Sequence, residues 1–207
     1  MSSHDTDPPV VFRPRSAAWL TGVVWLIVLF SLVSTAVTHG FPALVQLAPL
    51  VALGYLAWWL AWYPAVVVSD AGVALRNPLL TVQVPWPALI MVDTKYALTL
   101  VTPKGKFAAW AAPAPGIFGV QRAQPGHVRG LPEVTYGPGE SVRPGDLSNS
   151  DSGAAAFHVR SRWAELISSG AVAAGEADTA TVAKRPNWLV LIAAAALIVA
   201  SVLSLTG

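Results

Sequence analysis

Three long uncharged runs constrain this chain more than any other feature of its sequence. The first covers residues 17–37, and the second, residues 41–63, follows after only a Thr-His-Gly corner. The third covers residues 188–205. Because an α-helix rises 1.5 Å per residue, about 20 such residues cross a hydrocarbon core. The runs therefore predict a membrane protein with a transmembrane helical hairpin and a separate third transmembrane helix.

Composition agrees with that prediction. The chain is 54% hydrophobic and only 12% charged, which is too poor in charge for an ordinary soluble domain. A signal peptide is the alternative for the first run, because Arg13 and Arg15 precede it. The run is longer than a signal-peptide core of about 7–15 residues, and a second run follows at once. We therefore expect the first run to remain as a membrane span.

The placement of positive charge predicts the orientation in the membrane. Arg13 and Arg15 precede the first span, and Lys184 and Arg185 precede the third. By the positive-inside rule, residues 1–16 and the region from 64 to 187 are cytoplasmic, and the C-terminus lies outside the inner membrane. Aromatic residues at the cytoplasmic span ends are expected to act as interface anchors. These residues are Trp19, Trp58, Trp59, Trp62, Tyr63 and Trp188.

The predicted spans favour anchoring over transport. Proton relays and ion paths usually need an ionisable side chain inside the membrane, and the three runs contain no Asp, Glu, Lys, Arg or His. Pro49 predicts a local kink in the second span, because proline removes one backbone hydrogen bond.

The region between residues 64 and 112 has the pattern of short β-strands. Val73 and Leu75 alternate with more polar neighbours, Asn77-Pro78 interrupts the pattern, and a second alternating run extends to Pro85. We expect Trp86 to follow that strand into the core. About five or six strands with frequent turns predict a small antiparallel sheet or partial barrel.

Residues 155–170 predict an amphipathic helix that packs on this sheet. Its apolar stripe consists of Val159, Trp163, Leu166 and Ile167. Arg160, Arg162 and Glu165 are expected on the solvated side, and Gly170 is placed to end the helix. The predicted fold class is therefore an α+β membrane protein.

Three segments lack the apolar content of a core. Residues 116–151 are rich in Gly and Pro and predict a mobile insertion between sheet and helix. Residues 171–187 predict a tether to the third span, and residues 1–16 predict a flexible cytoplasmic tail.

Several short motifs support a resemblance to a known family. "FRPR" precedes the hairpin, "WYP" follows it, and the strand region carries Asp70, Gly72, Arg76, Asn77 and Trp86 in register. In these features the chain resembles the membrane-anchored PH-like proteins of actinobacteria, a family that includes low-molecular-weight antigen relatives. The resemblance implies a bacterial pleckstrin-homology-like domain, which is a bent antiparallel sheet closed by a C-terminal helix. It implies no enzymatic activity, and the insertion at 116–151 departs from the family pattern.

Motifs for catalysis or cofactors are weak throughout the sequence. The chain has no cysteine, and its four histidines have no metal-ligand spacing. Asp70 and Asp93 border turns, where Asp commonly bonds its own backbone. Phosphate-binding glycine motifs are absent from the sequence. We therefore expect no catalytic site, no metal and no cofactor.

Four cations are candidates for contacts to lipid head groups or to a partner protein. They are Arg76, Lys95, Lys104 and Lys106. All four fall at predicted strand ends or turns, so the favoured interpretation is a set of scattered, solvated edge charges. A net charge of +2 is too small to predict nucleic-acid binding.

Two functions from different classes follow from the sequence. The first is a non-catalytic scaffold that docks a partner protein, for example by adding a strand to a sheet edge, or that binds anionic lipid. The second is an accessory subunit whose spans pack into a larger membrane complex.

Overall fold

The computed structural model describes residues 8–115, 144–147, 149–171, 177 and 179–206. In chain order, the helices are α1 (Arg15–His39), α2 (Ala48–Ala57), α3 (Asp151–Ser168) and α4 (Trp188–Thr206). The strands are β1 (Val10–Phe12), β2 (Ala65–Ser69), β3 (Gly72–Arg76), β4 (Leu80–Pro85), β5 (Met91–Asp93), β6 (Ala97–Thr102), β7 (Gly105–Pro113) and β8 (Ala183–Pro186). The chain divides into a β-rich unit, Met1–Arg13 with Ala65–Arg185, and an apolar helical unit, Pro14–Pro64 with Pro186–Gly207.

The helical unit contains three helical segments that are long and apolar enough to cross a membrane. They are Arg15–His39, Phe41–Trp62 and Trp188–Thr206, which confirms the three predicted apolar helices. The second segment begins as a 3-10 helix at Phe41–Leu47 and ends in a π-helical turn at Trp58–Trp62. Pro49 lies in the first turn of α2 and not in a helix interior, where the sequence predicted a kink. A first-turn proline costs no helical hydrogen bond, which explains this placement.

Small residues and two side-chain hydrogen bonds hold the helical unit together. Gly54 lets α2 approach α1 closely, because a Cβ atom there would lie 3.1 Å from a methyl group of Val28. Tyr55 donates a hydrogen bond of 2.8 Å to the carbonyl oxygen of Val190 in α4. Thr21 makes a longer contact, 3.4 Å, to the carbonyl oxygen of Ala57. Close approach at small residues is typical of helices that pack in lipid.

The described residues of the β-rich unit form two antiparallel sheets. Sheet A has the strand order β1-β2-β3-β4-β8, and sheet B has the order β5-β6-β7. Ser69 pairs with Gly72 across the first turn of sheet A, and Arg76 pairs with Thr81 across the second. Gly72 has φ +147°, and a Cβ atom there would collide with the carbonyl oxygen of Val84, so this turn requires glycine.

Two segments that the sequence assigned to a tail and a tether are edge strands. Val10–Phe12 pairs with β2, from Val10 opposite Val68 to Phe12 opposite Val66. Ala183–Pro186 lies beside β4. The tail and tether predictions are therefore wrong at these residues. Each strand has only three or four residues, and its stability comes from backbone pairing with a preformed neighbour, which leaves little local signal.

All three connections to the apolar helices leave sheet A at one end. Phe12 lies opposite Val66, close to the start of β2, and Ala65 lies opposite Arg76 at the end of β3. Thr181 and Ala183 share a cavity of about 270 Å³ with Val84 and Pro85. The strand β8 therefore begins beside the end of β4 and runs towards the same end of the sheet as β1.

The core lies between the two sheets and α3. Trp86 is 2% exposed, as the sequence predicted, and its indole N–H donates to the carbonyl oxygen of Ser69 over 2.9 Å. The helix α3 buries Ala155, Ala156 and Val159 against this core. Of the predicted apolar stripe, Val159 is buried, and Trp163 and Leu166 pack against the core. Ile167 does not belong to the buried side, because it is 47% exposed.

The helix α3 begins four residues earlier than the predicted helix. Ser150 caps it, because the side-chain oxygen accepts a hydrogen bond of 2.9 Å from the backbone N–H of Gly153. Gly153 also permits close approach, since a Cβ atom there would collide with the carbonyl oxygen of Leu147.

The predicted mobile insertion is wrong at its C-terminal end. Pro144–Asp146 forms a 3-10 turn, and Gly145, Asp146 and Leu147 are buried. A Cβ atom at Gly145 would collide with the carbonyl oxygen of Thr94, so this turn packs directly on the β5–β6 turn. The other residues of the predicted insertion, 116–143 and 148, lie outside the described residues.

Candidate functional site

The four candidate cations do not converge on one point. Lys95 lies in the turn between β5 and β6, and Lys104 lies in the turn at the opposite end of β6. Arg76 ends β3, opposite Ala65 and Thr81. Lys106 is exposed on β7, opposite Val101. Lys104 and Lys106 therefore share one hairpin, and Arg76 and Lys95 lie in other turns or strand ends.

Sheet B has one side that faces the core and an outer side that faces away from it. Ala109 and Ala111 point into the core, so Lys106 and Trp110 project from the other side of β7. Met91 lies opposite Val101, and Val101 lies opposite Lys106, which forms a row across the sheet. Met91 is 50% exposed and Trp110 is 58% exposed.

One further cation contacts β7 from the side that faces the core. Lys184 of β8 places its Nζ atom 4.8 Å from the centre of the Phe107 ring, and Phe107 packs against the core from β7. We define the sheet B face as Met91, Val101, Lys104, Lys106 and Trp110, and Lys184 lies on the other side of β7. The sequence did not indicate the contact between Lys184 and Phe107, because the two residues are 77 positions apart along the chain.

Asn77 joins the two sheets through its side chain. Its Nδ2 donates a hydrogen bond of 2.9 Å to the carbonyl oxygen of Ala108, and its Oδ1 accepts one of 2.9 Å from the N–H of Trp110. The amide group thus pairs with the edge of β7 as a strand backbone would. The predicted turn at Asn77-Pro78 is confirmed, but the sequence did not reveal this second role.

Arg160 forms a buried ion pair with Asp146. The two side chains are 2.7 Å apart, and they are 9% and 4% exposed. The Asp146 carboxylate also accepts a hydrogen bond of 2.8 Å from the Thr94 hydroxyl, and Arg160 donates one of 3.0 Å to the carbonyl oxygen of Val92. The prediction that Arg160 is solvated is wrong, because its partner lies in a Gly/Pro-rich segment that helix periodicity does not reveal.

A second arginine of α3 lies in a more exposed ion-pair network. Arg162 binds the Asp70 carboxylate of the β2–β3 turn and also lies 2.7 Å from Glu165. Its hydrogen bonds to these carboxylates raise the pKa of the Arg162 guanidinium, so the group stays charged. His158 and Ser161 line a shallow cleft of about 230 Å³ beside this network. The charged side chains that line this cleft, Asp70, Arg162 and Glu165, are paired with one another.

The remaining candidate carboxylates have structural partners. Asp93 accepts hydrogen bonds from the backbone N–H groups of Thr94 (2.9 Å) and Lys95 (3.2 Å), which confirms its predicted turn chemistry. Asp151, in the first turn of α3, is half-buried, and loss of solvent raises the pKa of its carboxyl group. Among the described residues, no group of three or more His, Asp or Glu residues could hold a metal ion.

The predicted interface aromatics lie at the ends of the apolar segments. Trp19 is in the second turn of α1 and 79% exposed, and Trp188 begins α4 and is 65% exposed. Around the π-helical turn, Trp58 has ring neighbours in Tyr55 at 5.5 Å and Tyr63 at 5.4 Å. The other two predicted anchors, Trp59 and Trp62, lie in the same turn. Their role as membrane anchors stays a prediction.

Two antiparallel sheets packed with a C-terminal helix define the β-rich unit as a PH-like domain. A family model described as bacterial PH domain matches residues 63–185. This match covers more than half of the 207 residues, and the chain belongs to that family. The searches of curated proteins and of solved structures found no match. The actinobacterial and antigen parts of the resemblance stay predictions.

Proposed function

We propose that this protein is a non-catalytic, membrane-anchored binding module at the cytoplasmic face of the inner membrane. One observation supports this function most directly. The outer strands of sheet A, β1 and β8, continue into the apolar helices α1 and α4 after two residues and one residue, respectively. A domain held by such short connections stays close to the membrane surface and is suited to present a binding face there.

The charged groups of the PH-like domain support binding over catalysis. Asp146 and Arg160 are used in a buried ion pair, and Asp70 and Arg162 join α3 to the β2–β3 turn. General acid–base chemistry needs a titratable group positioned towards a substrate site, and these groups are directed at one another. Membership of the bacterial PH domain family supports the same conclusion.

Strand addition is less suitable than face binding as the docking mode. Asn77 occupies the β7 edge at Ala108 and Trp110, and Arg160 occupies the carbonyl oxygen of Val92 on the β5 edge. In sheet A, β2 and β4 are paired with β1 and β8, so the outer edges of this sheet belong to strands of only three and four residues. A partner strand would have to displace these contacts or pair with one of the two short strands, so we favour docking on an exposed sheet face.

Co-purification from membranes tests the proposed function. Three versions of the chain are compared in mild detergent: the full chain, a chain without residues 64–185, and a chain whose apolar segments are replaced by unrelated membrane anchors. We expect bound protein or lipid to follow the PH-like domain. Loss of binding with the replaced anchors, and retention without residues 64–185, would instead support an accessory subunit that binds through its spans.

A further inference from the structure

We infer that the sheet B face docks an acidic segment of a partner protein that also carries a large apolar side chain. The inference rests on the proposed binding function and names the partner chemistry of one exposed sheet face. Met91 and Trp110 are 50% and 58% exposed, and Lys104 and Lys106 are exposed on the same face. Tryptophan and methionine are enriched at protein interfaces, and the two lysines set the sign of the charge that a complementary partner carries.

The outward residues of sheet B form two rows across its three strands. The first row is Met91, Val101 and Lys106, and the second is Asp93, Thr99 and Ala108. Ala108 is exposed and has only a methyl side chain, so β7 is low between Lys106 and Trp110. Alternate residues of a strand are about 7 Å apart, which leaves room for one apolar side chain on Ala108. Such a side chain would contact the Trp110 indole and the methylene groups of Lys106.

The two lysines of this face are available to carboxylates of a partner. In the part of the chain that the structure describes, no carboxylate lies within ion-pair distance of Lys104 or Lys106. By contrast, Arg160 and Arg162 are paired with carboxylates of the domain itself. Acidic residues of a partner that lie at the β6–β7 hairpin would therefore gain ion pairs without breaking existing ones.

The distribution of charge favours a protein segment over an anionic bilayer. Asp93 lies two positions after Met91 in β5, so both side chains are on the outward side of the sheet. A bilayer would bring anionic head groups to Asp93 as well as to the lysines, whereas a protein segment can place its acidic residues at the hairpin alone. Two lysines are also fewer than the cluster of about 4–8 cations that binds anionic lipid surfaces.

Peptide selection on the full chain tests the inference. The chain is held in nanodiscs of neutral phosphatidylcholine, and short random peptides displayed on phage are the probe. Counter-selection on empty discs removes peptides that bind lipid. The enriched peptides are synthesised with a fluorophore, and fluorescence anisotropy measures their affinity for the native chain and its variants.

We expect the enriched peptides to combine net negative charge with a large apolar residue. Lys104→Glu/Lys106→Glu should bind them about tenfold more weakly, and Trp110→Ser about thirtyfold more weakly. The matched controls Lys95→Glu and Tyr96→Ser, both in the exposed β5–β6 turn, should leave the affinity unchanged. In about 1 M salt, where the Debye length is about 3 Å, the effect of the lysine variant should disappear and that of Trp110→Ser should persist. The lysine variant alters only exposed side chains, so it tests the face independently of the stability of Trp110→Ser.

Other results overturn the inference. Enriched peptides that are basic or neutral, no enrichment over empty discs, or equal binding to the native chain and both face variants would show that this face is not a site for an acidic segment. Equal binding to the variants would leave the proposed function standing, with its site elsewhere on the domain. Peptides that bind equally well to the chain without residues 64–185 would contradict the proposed function as well. Displacement of the peptides by short-chain phosphatidylglycerol, and not by short-chain phosphatidylcholine, would assign the face to anionic lipid.

Discussion

At the scale of single residues, the side chain of Asn77 pairs with β7 in place of a neighbouring strand. It makes two hydrogen bonds to the edge of β7, at Ala108 and Trp110. We expect Asn77→Ala to lower the free energy of unfolding of the PH-like domain by about 1–3 kcal/mol, because two partners lose their bonds. Asn77→Asp should be at least as harmful, because its carboxylate cannot donate to the carbonyl oxygen of Ala108. Thermal melting in mild detergent measures the loss.

Asn149 supplies the matched control for Asn77. It is exposed in the turn before α3, and the same substitution there, Asn149→Ala, should leave the melting temperature unchanged. Equal melting temperatures for Asn77→Ala and the native chain would show that the two sheets do not depend on the Asn77 amide.

The buried pair Asp146 and Arg160 is expected to show a larger effect. Asp146→Asn leaves the Arg160 charge in a site where it is 9% exposed. Breaking such a pair on one side costs about 3–5 kcal/mol. Removing both charges with Asp146→Asn and Arg160→Met should cost less than the sum of the two single changes, because no unpaired charge remains. Denaturant unfolding of the four proteins gives the coupling energy.

The exposed pair of Asp70 and Arg162 is the comparison for this cycle. Their side chains are 36% and 22% exposed, so solvent and salt screen the interaction. Asp70→Asn should destabilise the domain far less than Asp146→Asn. Similar losses for both substitutions would contradict the special role of burial at Asp146.

At the scale of the element, the helix α3 contains a group that works against stability at neutral pH. Burial raises the folded-state pKa of Asp151 above its value in the unfolded chain. The folded state therefore binds more protons between the two pKa values, and this contribution to stability falls as pH rises through that window. We expect Asp151→Asn to reduce this fall, so that melting temperature measured across the acidic range changes less with pH. An unchanged pH profile in the variant would contradict the assignment.

The described residues on either side of the segment 116–143 bond to the same turn, between β5 and β6. The Ala114 N–H donates to the carbonyl oxygen of Tyr96 over 2.9 Å, and Asp146 bonds the Thr94 hydroxyl over 2.8 Å. Replacing these 28 residues by a short Gly-Ser linker should preserve the fold. Stability should be equal or higher by about 1–2 kcal/mol, because closing a shorter loop costs less entropy.

A longer deletion provides the control for this experiment. Removing residues 116–147 also removes Asp146 and leaves Arg160 buried without its partner. This version should melt at a clearly lower temperature than the shorter deletion. Unfolding of the shorter deletion itself would show that the domain requires the removed segment.

The elements that the sequence predicted correctly are those with a local periodic signal. Val73, Leu75, Val82 and Val84 alternate with exposed or half-buried neighbours, and all four are buried in β3 and β4. The short edge strands β1 and β8 lack that signal, because their pairing partners are distant in the chain. The same reason hid the Asp146 and Arg160 pair and the contact of Lys184 with Phe107, since tertiary contacts decide both.

At the scale of the whole molecule, the edge strands β1 and β8 of sheet A are the strands that continue into the apolar helices α1 and α4. The three connections between the PH-like domain and the apolar helices leave sheet A from the same end. A pull on α1 or α4 would therefore act on an edge strand and reach the core only through its backbone pairing. This arrangement lets the outer strands yield before the central ones, because β1 and β8 have only three and four residues.

The proposed orientation gives the final prediction. The chain has no cysteine, so single cysteines can report sidedness without background labelling. His39→Cys, at the end of α1, and Thr206→Cys, at the end of α4, should react with a membrane-impermeant maleimide in intact cells. Tyr96→Cys should react only after permeabilisation, although Tyr96 is 78% exposed in the domain. Arg13, Arg15, Lys184 and Arg185 supply the physical reason, because positively charged flanks are retained in the cytoplasm. Labelling of Tyr96→Cys in intact cells, with protection of the other two, would reverse the orientation and place the sheet B face outside.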